Sequence, residues 1–150
     1  RMDYAIQKAT ELGVTSIQLL TSERCEMRLK YDRDQKKIDH WQSVAIAACE
    51  QCGMNIVPKI LAPLRLEDWF NSNLPATKLV LAPNKDQVDV LNNVSKDLAL
   101  LIGPEGGLSE AEINAANAVG FENWCIGSRV LRTETAPVVA LAILNYRLAE

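Results

Sequence analysis

The sequence predicts an α/β domain in which a parallel sheet is flanked by helices. Three apolar runs, at residues 78–82, 98–102 and about 122–126, alternate with helical patterns in the second half of the chain, as parallel βα units require. Because the runs are continuously apolar, we expect their strands to be buried on both faces. The last helix, about 135–148, is apolar nearly all round, which indicates burial in a core or a subunit interface.

The first half of the chain predicts two further strands among three helices. Apolar residues recur at three- and four-residue steps from Ile38 to Cys52, which is typical of a long helix with one buried face. The predicted elements are a helix at 3–12, a strand at 16–21, a helix at about 34–52, a strand at 57–61 and a helix at 66–70.

Helix ends are marked by specific residues. Ser109 and Glu112 have the spacing of a capping box, so a helix begins after Ser109. Gly120 follows the last turn of that helix, and Gly13 follows the first helix of the chain, each at the position where a helix commonly ends on a left-handed residue.

Length and composition predict a single compact domain, since 150 residues that are 48% hydrophobic supply a full core. No run of 18 apolar residues and no signal-peptide pattern is present in the printed sequence. The four cysteines fit a reducing compartment better than a disulfide framework. We therefore expect a soluble, cytoplasmic protein.

The net charge of −3 argues against a protein that binds nucleic acid by charge alone. Any RNA contact is then local, and residues 23–37, which include Arg24, are the candidate because basic residues outnumber acidic ones there. A solvated charged loop is the alternative interpretation of the same stretch.

Each apolar run of the second half ends in residues that stop a strand, at 82–84, 103–107 and 127–129. Ligands bind beyond the carboxyl ends of parallel strands, so these loops are expected to form one site. The loop at 103–107 has three glycines and a proline, which favours either backbone contact with a ligand or merely a tight turn. It lacks the motifs of triphosphate and dinucleotide sites, and suits a ligand recognised by backbone hydrogen bonds and apolar packing, such as an adenosine carrying a cationic sulfonium.

The loop after the third run brings charged and hydroxyl side chains to the start of the last helix. Thr133 or Thr135 is a candidate N-cap, and the helix dipole favours Glu134. Arg132 opposes that dipole, which indicates that it meets an anion or a substrate. His40 is interpreted as a surface residue, and Cys49 with Cys52 as structural rather than as a zinc or redox pair.

Two motifs carry a family resemblance: residues 102–113 (IGPEGGLSEAEI) and 126–136 (IGSRVLRTETA). In this order they resemble the ribosomal RNA small subunit methyltransferase family that methylates N3 of a decoding-centre uridine. Segments 9–14 (ATELGV), 22–25 (SERC) and 47–53 (AACEQCG) are also similar, so the resemblance covers essentially the whole chain.

The resemblance implies a SPOUT methyltransferase fold with a carboxyl-terminal deep trefoil knot, a homodimer, and ribosomal RNA of the small subunit as partner. It also implies S-adenosylmethionine as cofactor. No metal is expected, because the sequence shows no metal-ligand pattern. The implied cofactor-binding residues are Leu81, Ala82, Pro83, Ile102, Gly103, Pro104, Glu105, Gly106, Gly107, Ile126, Gly127, Val130, Leu131, Thr135 and Ala136.

For catalysis, the resemblance and the chemistry of a uridine base together favour three residues. Arg132 is expected to stabilise the anionic base, Glu134 to orient it or accept its proton, and Arg24 to position the RNA or the base. Two alternatives stay open: a SPOUT enzyme with another RNA target, and a domain that binds cofactor without transferring methyl.

The sequence departs from the family pattern in two places. Members commonly have an arginine where this chain reads Gly53, Met54 and Asn55. Full-length members also carry an amino-terminal β-barrel resembling a PUA domain, which the printed sequence lacks, so this chain is expected to be a catalytic domain from a longer protein.

Overall fold

The computed structural model describes residues 2–22, 31–53, 56–83, 90–92, 94–104, 107–126 and 135–148, with residues 31–34 as backbone only. Its elements in chain order are α1 (Met2–Glu11), β1 (Ser16–Thr21), α2 (Tyr31–Cys52), β2 (Lys59–Arg65), α3 (Leu66–Phe70), β3 (Thr77–Leu81), β4 (Leu98–Leu101), α4 (Glu110–Ala118), β5 (Glu122–Trp124) and α5 (Ala136–Leu148). The predicted α/β class is confirmed, and every strand pair is parallel.

The strands form two sheets rather than the single sheet expected from the sequence. β1 pairs with β2, and β3 lies between β4 and β5 in the order β4-β3-β5. Apolar runs reveal where strands lie along the chain but not which strands hydrogen-bond, because lateral pairing depends on contacts between distant residues. The two sheets are linked by packing, since Leu20 of β1 contacts the core cluster around Val80 of β3.

Both faces of the three-stranded sheet are covered, as the continuous apolar runs predicted. Adjacent residues of β3 point to opposite faces: Val80 packs in one cluster with Ala116 of α4, and Leu79 packs in another with Ala140 of α5. Leu79 is 1% exposed and Val80 is fully buried. β3 is therefore the centre of the second half of the domain.

In the first half, α1 and α2 cover the β1-β2 sheet. Ile6 of α1, Trp41 and Ala45 of α2, and Ile60 of β2 belong to one buried cluster. Helical spacing predicted this face of α2, but at its end the buried residue is Cys49 rather than Cys52, which is exposed.

The second strand is displaced from its predicted limits of 57–61. β2 starts at Lys59, opposite Ser16, and continues through Pro63 to Arg65, whereas Val57 is 42% exposed. Among the described strands, β2 pairs with β1 alone, and this pairing is irregular between Gln18 and Leu20 of β1. Proline is tolerated in such a strand, because its missing N–H interrupts no second ladder. Gln18 Nε2 donates to Ala62 O at 2.7 Å across this irregularity.

Two expectations of the second half are tested only in part. Between β3 and β4 a helical segment was expected; residues 84–89 and 93 of this stretch lie outside the described residues, and the described residues 90–92 and 94–97 form turns, bends and irregular chain. α5 was expected to be buried in a core or a subunit interface; within this chain it buries one face through Ala136, Pro137, Ala140 and Leu144, while Tyr146 is 84% exposed. Among the helices that the structure describes, none is long and apolar enough to cross a membrane.

Candidate functional site

The carboxyl ends of β3, β4 and β5 lie at one edge of the sheet. Val80 of β3 is opposite Leu101, the last residue of β4, and Leu81 is opposite Trp124, the last residue of β5. Because all three strands are parallel, the chain leaves the sheet three times at this edge. The starts of the three predicted loops are therefore neighbours. We call this part of the sheet the crevice edge; it consists of residues 81–83, 102–104, 107 and 125–126.

The loop after β3 is attached to β5 beyond the end of the strand pairing. Ala82 is buried and its N–H donates to Trp124 O at 3.2 Å. Pro83 is exposed and its carbonyl accepts from Asn123 Nδ2 at 3.2 Å. Hydrogen bonds to β5 thus hold the backbone of residues 82 and 83 in place at the crevice edge.

The glycine-rich loop after β4 folds back on itself. Gly107 N donates to Pro104 O at 2.7 Å, and Gly107 has a φ of 76°, a conformation that favours glycine. A Cβ on Gly103 would lie 2.9 Å from Leu108 Cγ and 3.1 Å from Leu108 N. The tight loop itself therefore requires both glycines, so their presence alone does not indicate a ligand.

The capping box at the start of α4 fixes the far end of this loop, as predicted. Ser109 Oγ accepts from Glu112 N at 3.1 Å, and Glu112 Oε1 accepts from Ser109 N at 2.9 Å. Glu112 is 8% exposed, and each bond satisfies a backbone donor that the helix leaves unpaired. The loop is consequently held at both ends, by β4 and by α4.

The remaining described cofactor candidates lie after β5 and at the start of α5. Ile126 is half-buried after β5, and Ala136 is buried at the first position of α5. Thr135 is exposed and its carbonyl accepts from Val139 N at 3.1 Å. That bond places Thr135 at the N-cap position, one of the two residues predicted for it.

Several predicted site residues lie outside the described residues. They are the three catalytic candidates Arg24, Arg132 and Glu134, and the cofactor candidates Glu105, Gly106, Gly127, Val130 and Leu131. The ten remaining cofactor candidates are among the described residues. Of these, Ile126 and the candidates of the first two loops lie at the crevice edge.

The described residues of the crevice edge contribute mainly apolar side chains and backbone groups. Ile102, Gly103 and Pro104 are half-buried, as is Ile126. In the part of the chain that the structure describes, no group of three or more His, Cys, Asp or Glu residues is placed to hold a metal ion. Such a surface suits a flat or apolar ligand recognised through backbone hydrogen bonds.

The other singled-out polar residues lie elsewhere and have structural contacts. His40 is exposed, as predicted, and its Nε2 lies 2.8 Å from Asp3 Oδ2. Asp3 also accepts from Trp41 Nε1 at 3.1 Å, and the His40 hydrogen bond is the main cause that lowers the pKa of Asp3. Burial raises the pKa of the Cys49 thiol, which keeps it protonated and unreactive.

Sequence reasoning missed Asn117 and Asn123. Asn117 Nδ2 donates to Phe121 O at 2.9 Å and to Asn123 Oδ1 at 2.8 Å, and Asn123 reaches Pro83. The signal was the polar residue at position 123 within the apolar run 122–126, since a polar side chain in a buried strand needs a partner.

The fold and the crevice edge define an α/β domain whose parallel sheet is covered on both faces and whose strand-end loops meet at one edge, the usual ligand site of this class. The family model of the RNA methyltransferase domain matches residues 1–145, and the chain belongs to that family.

Named relatives agree with the family. The chain is 36% identical to ribosomal RNA small subunit methyltransferase E of Buchnera aphidicola subsp. Schizaphis graminum, over 100% of this chain and 62% of the relative. It is 30% identical to the Bacillus subtilis protein of that name, over 98% and 61%. The chain therefore spans about three fifths of the length of these relatives.

Solved structures are similar over the same span. A ribosomal RNA small subunit methyltransferase E from Neisseria gonorrhoeae, bound to S-adenosyl methionine, superposes with a TM-score of 0.87 at 36% identity, covering 98% of this chain and 61% of that one. A Legionella pneumophila protein in complex with the bound cofactor SAM superposes with a TM-score of 0.91 at 38% identity, covering 97% of this chain and 60% of that one.

Proposed function

We propose that this chain is the catalytic domain of an S-adenosylmethionine-dependent methyltransferase that modifies N3 of uridine 1498 in 16S ribosomal RNA. The observation that carries the proposal is the meeting of three strand-end loops at the crevice edge in a member of the RNA methyltransferase domain family. The S-adenosylmethionine bound in the two solved relatives supports the choice of ligand.

The described residues fit this cofactor. Half-buried Ile102 and Ile126 offer apolar surface to an adenine ring, and the backbone of residues 102–104 offers hydrogen-bonding groups without a side chain at Gly103. Lys78, the lysine of β3, lies toward the opposite edge, where Nζ donates to Ala76 O at 3.3 Å. A surface of this kind favours a cationic or neutral ligand over a triphosphate.

The cofactor would be held by residues 81–83, 102–107 and 126–131, with Thr135 and Ala136 beneath them. When bound, it supplies a methyl group on a cationic sulfonium. The work of the chain is then to orient the base and to stabilise the negative charge that appears when N3 loses its proton. We assign stabilisation to Arg132, orientation or proton acceptance to Glu134, and RNA positioning to Arg24.

The proposal extends to a trefoil knot in the carboxyl-terminal part, a homodimer, and the cytoplasm as the place of reaction. The motif at residues 126–136 supports the knot, because it carries the resemblance to SPOUT enzymes. The outer face of α5 supports the dimer, since Tyr146 is 84% exposed on a helix that is otherwise rich in apolar residues. Sedimentation that finds only monomer would contradict the dimer.

The decisive experiment combines cofactor titration with mapping of the product. We expect calorimetry to detect binding of S-adenosylmethionine to the chain, and mass mapping to find 3-methyluridine at position 1498 after incubation with unmodified small ribosomal subunits. Turnover by this domain is expected to be slow, because a net charge of −3 leaves few phosphate contacts.

Three outcomes would contradict parts of this proposal. Absence of cofactor binding would overturn the methyltransferase assignment itself. Methylation of transfer RNA instead of ribosomal subunits would replace the substrate. Cofactor binding without transfer, including when the longer protein is assayed, would make this an inactive RNA-associated domain.

A further inference from the structure

Polar side chains link α4, β5 and the loop after β3 in one chain of hydrogen bonds. Asn117 Nδ2 of α4 donates to Asn123 Oδ1 of β5 at 2.8 Å, and Asn123 Nδ2 donates to Pro83 O at 3.2 Å. The second bond joins residues 40 positions apart in the sequence. We call Asn117 and Asn123 the asparagine pair.

The bond from Asn123 reaches the carbonyl of Pro83, the last described residue of this segment. Proline has no backbone N–H, so its carbonyl is the one main-chain group through which residue 83 can be hydrogen-bonded. The backbone pairing of β3 with β5 ends just before it, with Ala82 N donating to Trp124 O at 3.2 Å. Asn123 therefore extends the attachment of this loop by one residue beyond what the two backbones achieve.

The orientation of Asn123 is set from two sides. In the sheet register it lies opposite Val80, whose side chain belongs to the cluster that includes Ala116 of α4. Asn117 lies one residue after Ala116 and also donates to Phe121 O at 2.9 Å. Because Asn117 is fixed by Phe121, its bond to Asn123 Oδ1 turns the Asn123 amide group so that Nδ2 points at Pro83.

We propose that the asparagine pair is a positioning device that holds the loop after β3 in the course that receives the cofactor. The inference rests on the proposed function, since residues 81–83 are assigned there to the cofactor. Asn123 is a positioning residue: it acts through Pro83, and its contribution is to the affinity for cofactor.

The main variant is Asn123→Asp, which keeps the acceptor for Asn117 and replaces the donor with a carboxylate that repels Pro83 O. At pH 7.5, a value chosen well above the ordinary aspartate pKa of about 3.9, we expect the dissociation constant for S-adenosylmethionine to rise about three- to tenfold, the scale of one net hydrogen bond. The matched control is Asn114→Asp, which adds the same charge at an exposed position of α4 and should change the affinity less than about twofold.

Measuring the affinity for S-adenosylmethionine as a function of pH distinguishes a positioning role of Asn123 from a general loss of stability in the variant. As the pH falls toward the ordinary aspartate pKa of about 3.9, the new carboxyl gains a proton and can donate to Pro83 O again. The affinity gap between the Asn123→Asp variant and the Asn114→Asp control should therefore narrow at about pH 4.5. A gap that is unchanged by pH would overturn the positioning role.

A second variant keeps the test decisive if Asn123→Asp does not fold. Asn117→Ala leaves the donor of Asn123 in place but frees its orientation, and we expect about a two- to threefold loss of affinity. Unchanged affinity in the folded variants would overturn the inference while leaving the methyltransferase proposal intact. If the unsubstituted chain binds no S-adenosylmethionine, the proposed function fails and the inference fails with it.

Discussion

The helix pair α1–α2 and the crevice edge are stabilised by different kinds of contact. α1 and α2 are joined by packing of Ile6, Trp41 and Ala45 and by side-chain hydrogen bonds to Asp3. The crevice edge is shaped instead by a positive-φ glycine, a helix cap and a side-chain bond to a carbonyl, at Gly107, Ser109 and Pro83. Packing tolerates conservative replacement, whereas loop geometry depends on specific residues at specific positions.

This difference makes a prediction for two substitutions, one in each region, that lower the free energy of unfolding equally. They should differ in their effect on ligand binding. The α1–α2 pair should respond to substitution by losing stability alone. The crevice edge should lose affinity or turnover beyond what its stability loss explains. Three substitutions test this contrast, and chelation tests whether either region holds a metal.

Gly107→Val should abolish S-adenosylmethionine binding while the domain stays folded. Gly107 has a φ of 76°, where a β-branched residue is strained by about 1–3 kcal/mol, and relief of that strain would alter the loop. The control is Gly53→Val, at a φ of 73° with no atom within 4 Å of a Cβ. Calorimetry and circular dichroism compare the two variants. Near-normal affinity in Gly107→Val, or equal losses in both, would contradict the contrast.

Arg132→Ala should cut methyl transfer by about a hundredfold or more, the scale of losing one preorganised stabilising group. Cofactor affinity should stay within about threefold, because the side chain is assigned to the base and not to the cofactor. The control is Arg65→Ala, an exposed arginine of β2 whose Nε lies 3.3 Å from Asp68. Single-turnover rates and calorimetry measure the two quantities separately, and equal losses in both would reassign Arg132 to the cofactor site.

Asp3→Asn should lower the melting temperature by about 2 °C, since a partly exposed hydrogen bond contributes up to about 1 kcal/mol. The lowered pKa of Asp3 means that the carboxylate stabilises the fold above its ordinary pKa of 3.8 and that this contribution is lost as the pH falls through the lowered value. The difference between variant and unsubstituted chain should therefore vanish in acid.

Scanning calorimetry at several pH values measures this difference, with Asp39→Asn on α2 as the control. Affinity for S-adenosylmethionine at neutral pH should be unchanged by Asp3→Asn. A loss of affinity comparable to that of a crevice-edge variant would remove the contrast between the two regions.

Chelation should have the smallest effect. We expect EDTA to leave methyl transfer unchanged, because the proposed chemistry uses no metal, and to leave the melting temperature unchanged, because the Cys49 thiol is protonated and donates to Ile56 O at 3.3 Å. Loss of activity restored by zinc or magnesium would place a metal at the crevice edge. Loss of stability alone would instead place zinc at Cys49 and Cys52.

The sequence by itself determined the kinds of elements and much of their burial. The spacing of apolar residues identified α1, β1 and the buried face of α2, and the capping box fixed the start of α4. The continuous apolar run of β3 correctly indicated burial on both faces. These features are local, since periodicity and caps depend on residues within a few positions of one another.

Only the tertiary structure decided what depends on distant residues. The separation into two sheets, the displacement of β2 to Lys59–Arg65 and the exposed outer face of α5 follow from pairing and packing between segments far apart in the chain. The bond from Asn123 to Pro83 requires both the register of β3 on β5 and the course of the chain after Leu81. The sequence of a continuously apolar strand does not select its register, because such a strand has no alternating pattern that a shift of one residue would disrupt, and its neighbours select the pairing.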